Sequence, residues 1–146
     1  MTFLDSNILV YTVDKADPRK HELAVDILEE AISNPSAFRI STQVLSEYAC
    51  VLIRKLKFTS TRVLQLMHNL EAIPVVTVDT PLVRRAVEIQ HLAGIQFYDA
   101  QIVAAAERAG CGMVYSEDLN PGETYAGVRA IDPFAKEKSK TRGHAK

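Results

Sequence analysis

The chain has 146 residues, 47% of them apolar, which suits one domain with a real core and is too short for two comfortable ones. Its longest apolar runs fall far short of the roughly 18 residues a spanning helix needs, and Met1-Thr-Phe-Leu-Asp5 lacks a basic region followed by a hydrophobic stretch. A soluble protein in the cytoplasm is therefore expected. The net charge of −1 hides an asymmetry, because Lys136, Lys138, Lys140, Arg142 and Lys146 face only Glu137 near the end of the chain, which leaves the body at about −5. Residues 1–134 are expected to form the domain. Residues 135–146 are expected to be a disordered basic tail, either a solvated end or a phosphate-binding arm.

Thr2-Phe-Leu-Asp5 predicts a short strand that meets an acid, followed by a turn into the helical segment Ile8–Tyr11. Asp17-Pro18 starts a helix, with an acid at the cap and proline at the first position, and Asn34-Pro35 stops it. A second strand is read at Phe38–Ser41. After it, Ser41 or Thr42 can cap a helix to about Leu56 with Val44, Tyr48 and Val51 on its apolar side. A helix over Ser60 to Ala72, the β-branched strand Val75–Val78, and a helix from Asp79-Thr-Pro81 to a glycine cap at Gly94 come next. The helix beginning near Phe97 is closed by Gly110. Strands at Met113–Tyr115 and Val128–Ile131 flank the loop Ser116–Gly122. Short strands alternating with helices predict an α/β fold whose parallel sheet is covered on both faces. Cys50 and Cys111 lack CxxC spacing and are expected to be small buried side chains.

Four acids stand out. Asp99 opens an apolar helix and is followed by Ile102, Val103 and Ala106 at i+3, i+4 and i+7, so its face packs inward. A carboxylate aimed at a core needs a partner, and no Lys or Arg stands on that face. Glu47 has Val44 and Val51 at i−3 and i+4 and shares the inward side of its own helix. Asp5 ends the first strand and Asp118 follows the fourth, beyond strand carboxyl ends where open parallel sheets bind ligands. The ordinary alternatives are turn formers for Asp5 and Asp118, a helix cap for Asp99 and a boundary position for Glu47. If the four converge, like charges raise one another's pKa unless a cation lies between them. Oxygen-only ligands select Mg²⁺ or Mn²⁺. Zinc is disfavoured, because His21, His68, His91 and His144 are scattered. A metal held this way can activate water and neutralise charge on a phosphoryl oxygen, the chemistry of phosphodiester hydrolysis.

The segments Phe3-Leu-Asp-Ser-Asn-Ile8, Ser41-Thr-Gln-Val-Leu-Ser-Glu47, Tyr98-Asp-Ala-Gln-Ile-Val-Ala104 and Tyr115-Ser-Glu-Asp118 resemble, in order, the motifs of PIN-domain ribonucleases of the VapC toxin type. That resemblance implies a three-layer α/β/α domain with a five-stranded parallel sheet, and Mg²⁺- or Mn²⁺-dependent endonucleolytic cleavage of RNA. It places Asp5, Glu47, Asp99 and Asp118 at the catalytic, metal-binding positions, with Asn7 and Ser116 as supporting polar residues. Ser116 stands where the family often has Thr, a change that keeps the hydroxyl. A cognate antitoxin and a homodimer are the implied protein partners. Asp5, Asp99 and Asp118 are the expected ligands, Glu47 holds the metal or orients the attacking water, and Arg54, Lys55 and Lys57 are candidate RNA contacts at the rim. The alternatives are a non-catalytic interaction protein of the same fold, a PIN nuclease of RNA processing without a toxin role, and a phosphotransfer hydrolase of the HAD kind with Asp5 as nucleophile. The last usually has a second Asp where this chain has Asn7.

Overall fold

A computed structural model describes residues 1–136; the expected basic tail lies, from residue 137 on, outside the described residues. The element order is β1 (Thr2–Leu4), α1 (Ser6–Tyr11), α2 (Pro18–Ser33), β2 (Phe38–Ser41), α3 (Thr42–Arg54), α4 (Ser60–His68), β3 (Val75–Val76), α5 (Thr80–Ala93), α6 (Phe97–Arg108), β4 (Met113–Tyr115), β5 (Thr124–Tyr125) and β6 (Val128–Ile131). Most starts are set by local chemistry. Asp17, Ser41 and Asp79 accept hydrogen bonds from the backbone N–H three residues on, and proline lies in the first turn of α2 and α5. Gly94 ends α5 at φ 66°, a left-handed conformation that glycine adopts without penalty.

The sheet runs β3-β2-β1-β4-β6-β5. β1 pairs in parallel with β2 on one side and β4 on the other, and β2 with β3 and β4 with β6 continue the parallel pattern. The chain thus winds outward from β1 in one direction and then resumes at β4 on its opposite side, which puts the topological switch point between the two. Helices flank the sheet. Helix α6 is buried over Ala100–Ala106 and lies against β2, β4 and β6, with α5 along its side. Arg85 joins these helices through a two-pronged pair to Glu107 at 2.8 and 2.9 Å. No helix among the described residues is long and apolar enough to cross a membrane.

Three expectations need correction. The sheet has six strands, not five, and the added β5 pairs antiparallel to β6. Its signal is slight, because only two residues pair and the turn is Ala126-Gly127 in place of the Asn-Gly that marks a tight hairpin. Both turn residues are left-handed, at φ 49° and 80°. Cys111 is buried as expected, but Cys50 is exposed: the inward side of α3 carries Val44, Tyr48 and Leu52, and Cys50 lies half a turn from it. The edge strand β3 keeps only Val75–Val76 of the four-residue run, since Val78 N–H bonds instead to the Thr42 hydroxyl at 3.0 Å.

The hairpin makes a simple prediction. Left-handed alanine is strained by roughly 1–2 kcal/mol, a strain that asparagine relieves in part, so Ala126→Asn should raise the urea-unfolding free energy by about 0.5–1 kcal/mol. A loss of stability would contradict the turn geometry.

Candidate active site

Asp5 follows β1 directly and is 3% exposed. Its backbone N–H reaches across the switch point to the Tyr115 carbonyl at 3.0 Å, so the ends of β1 and β4 are stitched together where the acid leaves the sheet. Its Oδ1 accepts from Ser6 N–H at 2.7 Å, capping α1, while Oδ2 accepts from the Ser116 hydroxyl at 2.7 Å. Ser116, fully buried, also accepts from Asp118 N–H at 3.0 Å. One hydroxyl therefore ties the loop after β4 to the acid after β1. Asn7 completes the tie, donating from Nδ2 to Asp118 Oδ2 at 3.2 Å. Its Oδ1 is buried without a partner, an oxygen left free to accept.

Glu47 reaches the same crevice from the second turn of α3. The Ser6 hydroxyl lies 3.4 Å from Asp5 Oδ1 and donates to Glu47 Oε1 at 3.2 Å, bridging the two acids. Gln43, one turn earlier, approaches Glu47 Oε2 at 3.4 Å. Asp99 sits in the first turn of α6, half-buried, above Ile102, Val103 and Ala106, all in the core. Gln96, not Asp99, caps that helix.

Glu47 and Asp118 act on the other two acids. Burial pushes the Asp5 carboxyl up from 3.8 to about 7, against the hydrogen bonds from Ser116 and Ser6, with the charges of Glu47 and Asp118 adding to the rise. Asp99 is raised to about 6 by partial burial and then by the charges of Asp118 and Glu47. Among the described residues, no three His, Cys, Asp or Glu side chains close into a ready-made metal cage. The donor set still fits a hard divalent ion. It offers only oxygens, it includes a desolvated carboxylate that a cation would ionise, and it has the unpartnered Asn7 oxygen beside it.

Of the basic candidates, Lys55 borders this region. It lines a pocket between α1 and α3 with Ser6 and Asn7, and its Nζ lies 3.7 Å from Asp14 Oδ2. Arg54 and Lys57 are exposed and have no ion pair among the described residues. Sequence reasoning missed Ser6, Gln43 and Gln101. The detectable signal was Gln101, an amide inside the buried run Ala100–Ala106, where a polar side chain needs a partner. It also missed Glu117, which accepts from Tyr11 Oη at 2.8 Å and pairs with Lys20. Lys20 lies over the rings of Tyr11 and Phe134, and this cluster anchors the loop that carries Asp118.

The Asp5 shift sets a pH dependence. The folded state holds this proton more tightly than the unfolded chain, so the resulting stability is complete below 3.8 and is lost as pH rises through about 7. With chelator present, wild type should resist urea better at pH 5 than at pH 8, and Asp5→Asn should remove the larger part of that difference. An undiminished difference in the variant would contradict the assignment.

Three solved structures illustrate the chain's likenesses. VapC20 of Mycobacterium tuberculosis, described as a sarcin-ricin-loop-cleaving toxin, is 21% identical, with 81% of this chain and 90% of that one covered and a TM-score of 0.63. The DNA-bound VapBC of Salmonella typhimurium gives 22% identity, 90% and 97% coverage and a TM-score of 0.65. A toxin-antitoxin complex from Klebsiella pneumoniae gives 17%, 91% and 98%, and 0.64. At these identities the likeness is one of fold. No curated protein matches the chain by sequence. The PIN domain family model, however, matches residues 2–126, and with the acids gathered at the switch point of a mostly parallel sheet, the chain belongs to the PIN-domain family.

Proposed function

We propose that the protein is a Mg²⁺- or Mn²⁺-dependent endoribonuclease and the toxin of a toxin-antitoxin pair. The observation that carries this reading is the desolvated Asp5 carboxyl, in electrostatic contact with Glu47 and Asp118, while Asp99 feels the latter two. A buried acid crowded by others at a ligand-binding edge serves a scaffold poorly and a cation site well.

Asp5, Asp99 and Asp118 are the proposed ligands. A divalent cation, when bound, eases the ionisation of water and offsets charge on a phosphoryl oxygen. Ser116 and Asn7 hold Asp5 and Asp118 in place. Glu47, gripped on one oxygen by Ser6 and approached on the other by Gln43, is oriented to align a water and take up its proton as the water attacks phosphorus. Lys55, at the rim, is placed to meet a backbone phosphate of RNA; Arg54 and Lys57 would add only long-range attraction.

The toxin role rests on the solved neighbours, one of which is a toxin-antitoxin complex by name and another a toxin. A cognate antitoxin is the proposed protein partner. A homodimer in the cytoplasm completes the reading.

In the test, Mn²⁺ should raise the melting temperature of wild type by several degrees through binding to the folded state alone. Asp5→Asn and Asp99→Asn should lose most of that rise, and Asp99→Asn should lose RNA cleavage. An equal rise in all three proteins would put the ion elsewhere.

A further inference from the structure

Gln43 on α3 and Gln101 on α6 are 9% and 6% exposed, and each is surrounded by core. Gln101 Nε2 donates to Gln43 Oε1 at 2.8 Å. Gln43 Nε2 in turn donates to the Tyr98 carbonyl at 3.0 Å and approaches Glu47 Oε2 at 3.4 Å. A carboxamide has one oxygen and two N–H donors facing opposite ways, so Gln43 is fully used. Its orientation is also fixed. Turned over, it would aim its oxygen at a carbonyl and a carboxylate and its NH₂ at the NH₂ of Gln101, opposing like with like on both sides.

Gln101 completes the set by donating to the remaining Gln43 oxygen, and Gln43 touches both acid-bearing helices: Glu47 directly, and the backbone of Tyr98, the residue before Asp99. We propose that this pair is a positioning clamp that sets how Glu47 and Asp99 face each other across the crevice, and with it the affinity for the divalent ion. The inference rests on reading the crevice as a cation site. Neither glutamine is a ligand. Each acts through the acids it holds, as partners behind metal ligands do elsewhere, where their loss weakens metal binding about 10- to 100-fold.

The test is a double-mutant cycle on Mn²⁺ affinity, read from the electron-paramagnetic-resonance signal of free Mn²⁺, on full-length wild type, Gln43→Met, Gln101→Met and the double variant. Methionine keeps the length and removes the amide. Each single change should weaken Mn²⁺ binding by about 10-fold. The double variant should be no weaker than Gln43→Met, because Gln101 acts only through Gln43. Cleavage should lose kcat at fixed Mn²⁺ with an unchanged KM for RNA. Metal-free melting temperatures check folding, and Gln101→Leu repeats the test if Gln101→Met does not fold. Wild-type affinity in Gln101→Met or Gln101→Leu, or losses that add in the double variant, would overturn the clamp alone. A wild type that takes up no Mn²⁺ would overturn the cation site itself, and the clamp's function with it.

Discussion

The structure turns on a carboxyl group that its surroundings make unwelcome as an anion. Asp5 leaves β1 at the switch point, almost wholly out of water, with Glu47 and Asp118 adding to the penalty for its charge. Two hydrogen bonds, from the Ser6 amide and the Ser116 hydroxyl, partly offset that penalty. Much of the local architecture serves this acid. Ser116 is fully buried and spends its hydroxyl on both Asp5 and the backbone of Asp118, so the two strand ends cannot separate without exposing an unsatisfied group. A scaffold that only needed to fold would do better with an apolar residue at position 5. Keeping the acid makes sense if a cation compensates it.

The rest of the fold fixes where the other acids arrive. β2 feeds α3 through the Ser41 cap, which sets the phase that turns Val44, Tyr48 and Leu52 inward and leaves Glu47 at the edge of that face. α6 precedes β4 and runs back along the sheet, so its first turn, with Asp99, comes to the carboxyl edge. The Arg85–Glu107 pair holds its far end to α5. Beside Asp118, Glu117 is tied to Tyr11 and Lys20, and Phe134 stacks edge-on against Tyr11 at 5.1 Å between ring centres. The segment after β6 therefore braces the loop of the fourth acid.

The candidate site was legible in the sequence because its acids break local rules. An acid inside a helical apolar pattern, or at the end of a buried strand, conflicts with its neighbours, and such conflicts mark function. Helix starts were legible because caps and prolines are local. What was hidden depended on partners distant in the chain. Gln43 and Gln101 are 58 positions apart, and neither spacing nor composition reveals that one holds the other. Ser6 read as a turn residue and proved to bridge two acids. β5 has too few residues to carry a period, and Cys50 sits in an apolar-looking stretch whose inward face depends on helix phase rather than composition. Of the three basic candidates, only Lys55 lies at the pocket beside the site, since charge clusters at a helix end follow from the helix dipole as readily as from a ligand.

In the proposed reaction, carboxylates acting through a cation direct a water at phosphorus. The other common way to cut RNA uses the neighbouring 2′-hydroxyl as nucleophile, helped by histidine, and leaves a 2′,3′-cyclic phosphate without any metal. End-group analysis of RNA cleaved by the purified protein separates the two. The proposed reaction should leave 5′-phosphate and 3′-hydroxyl ends with Mg²⁺ or Mn²⁺ and give no cleavage in EDTA. Cyclic phosphate ends formed in EDTA would contradict it.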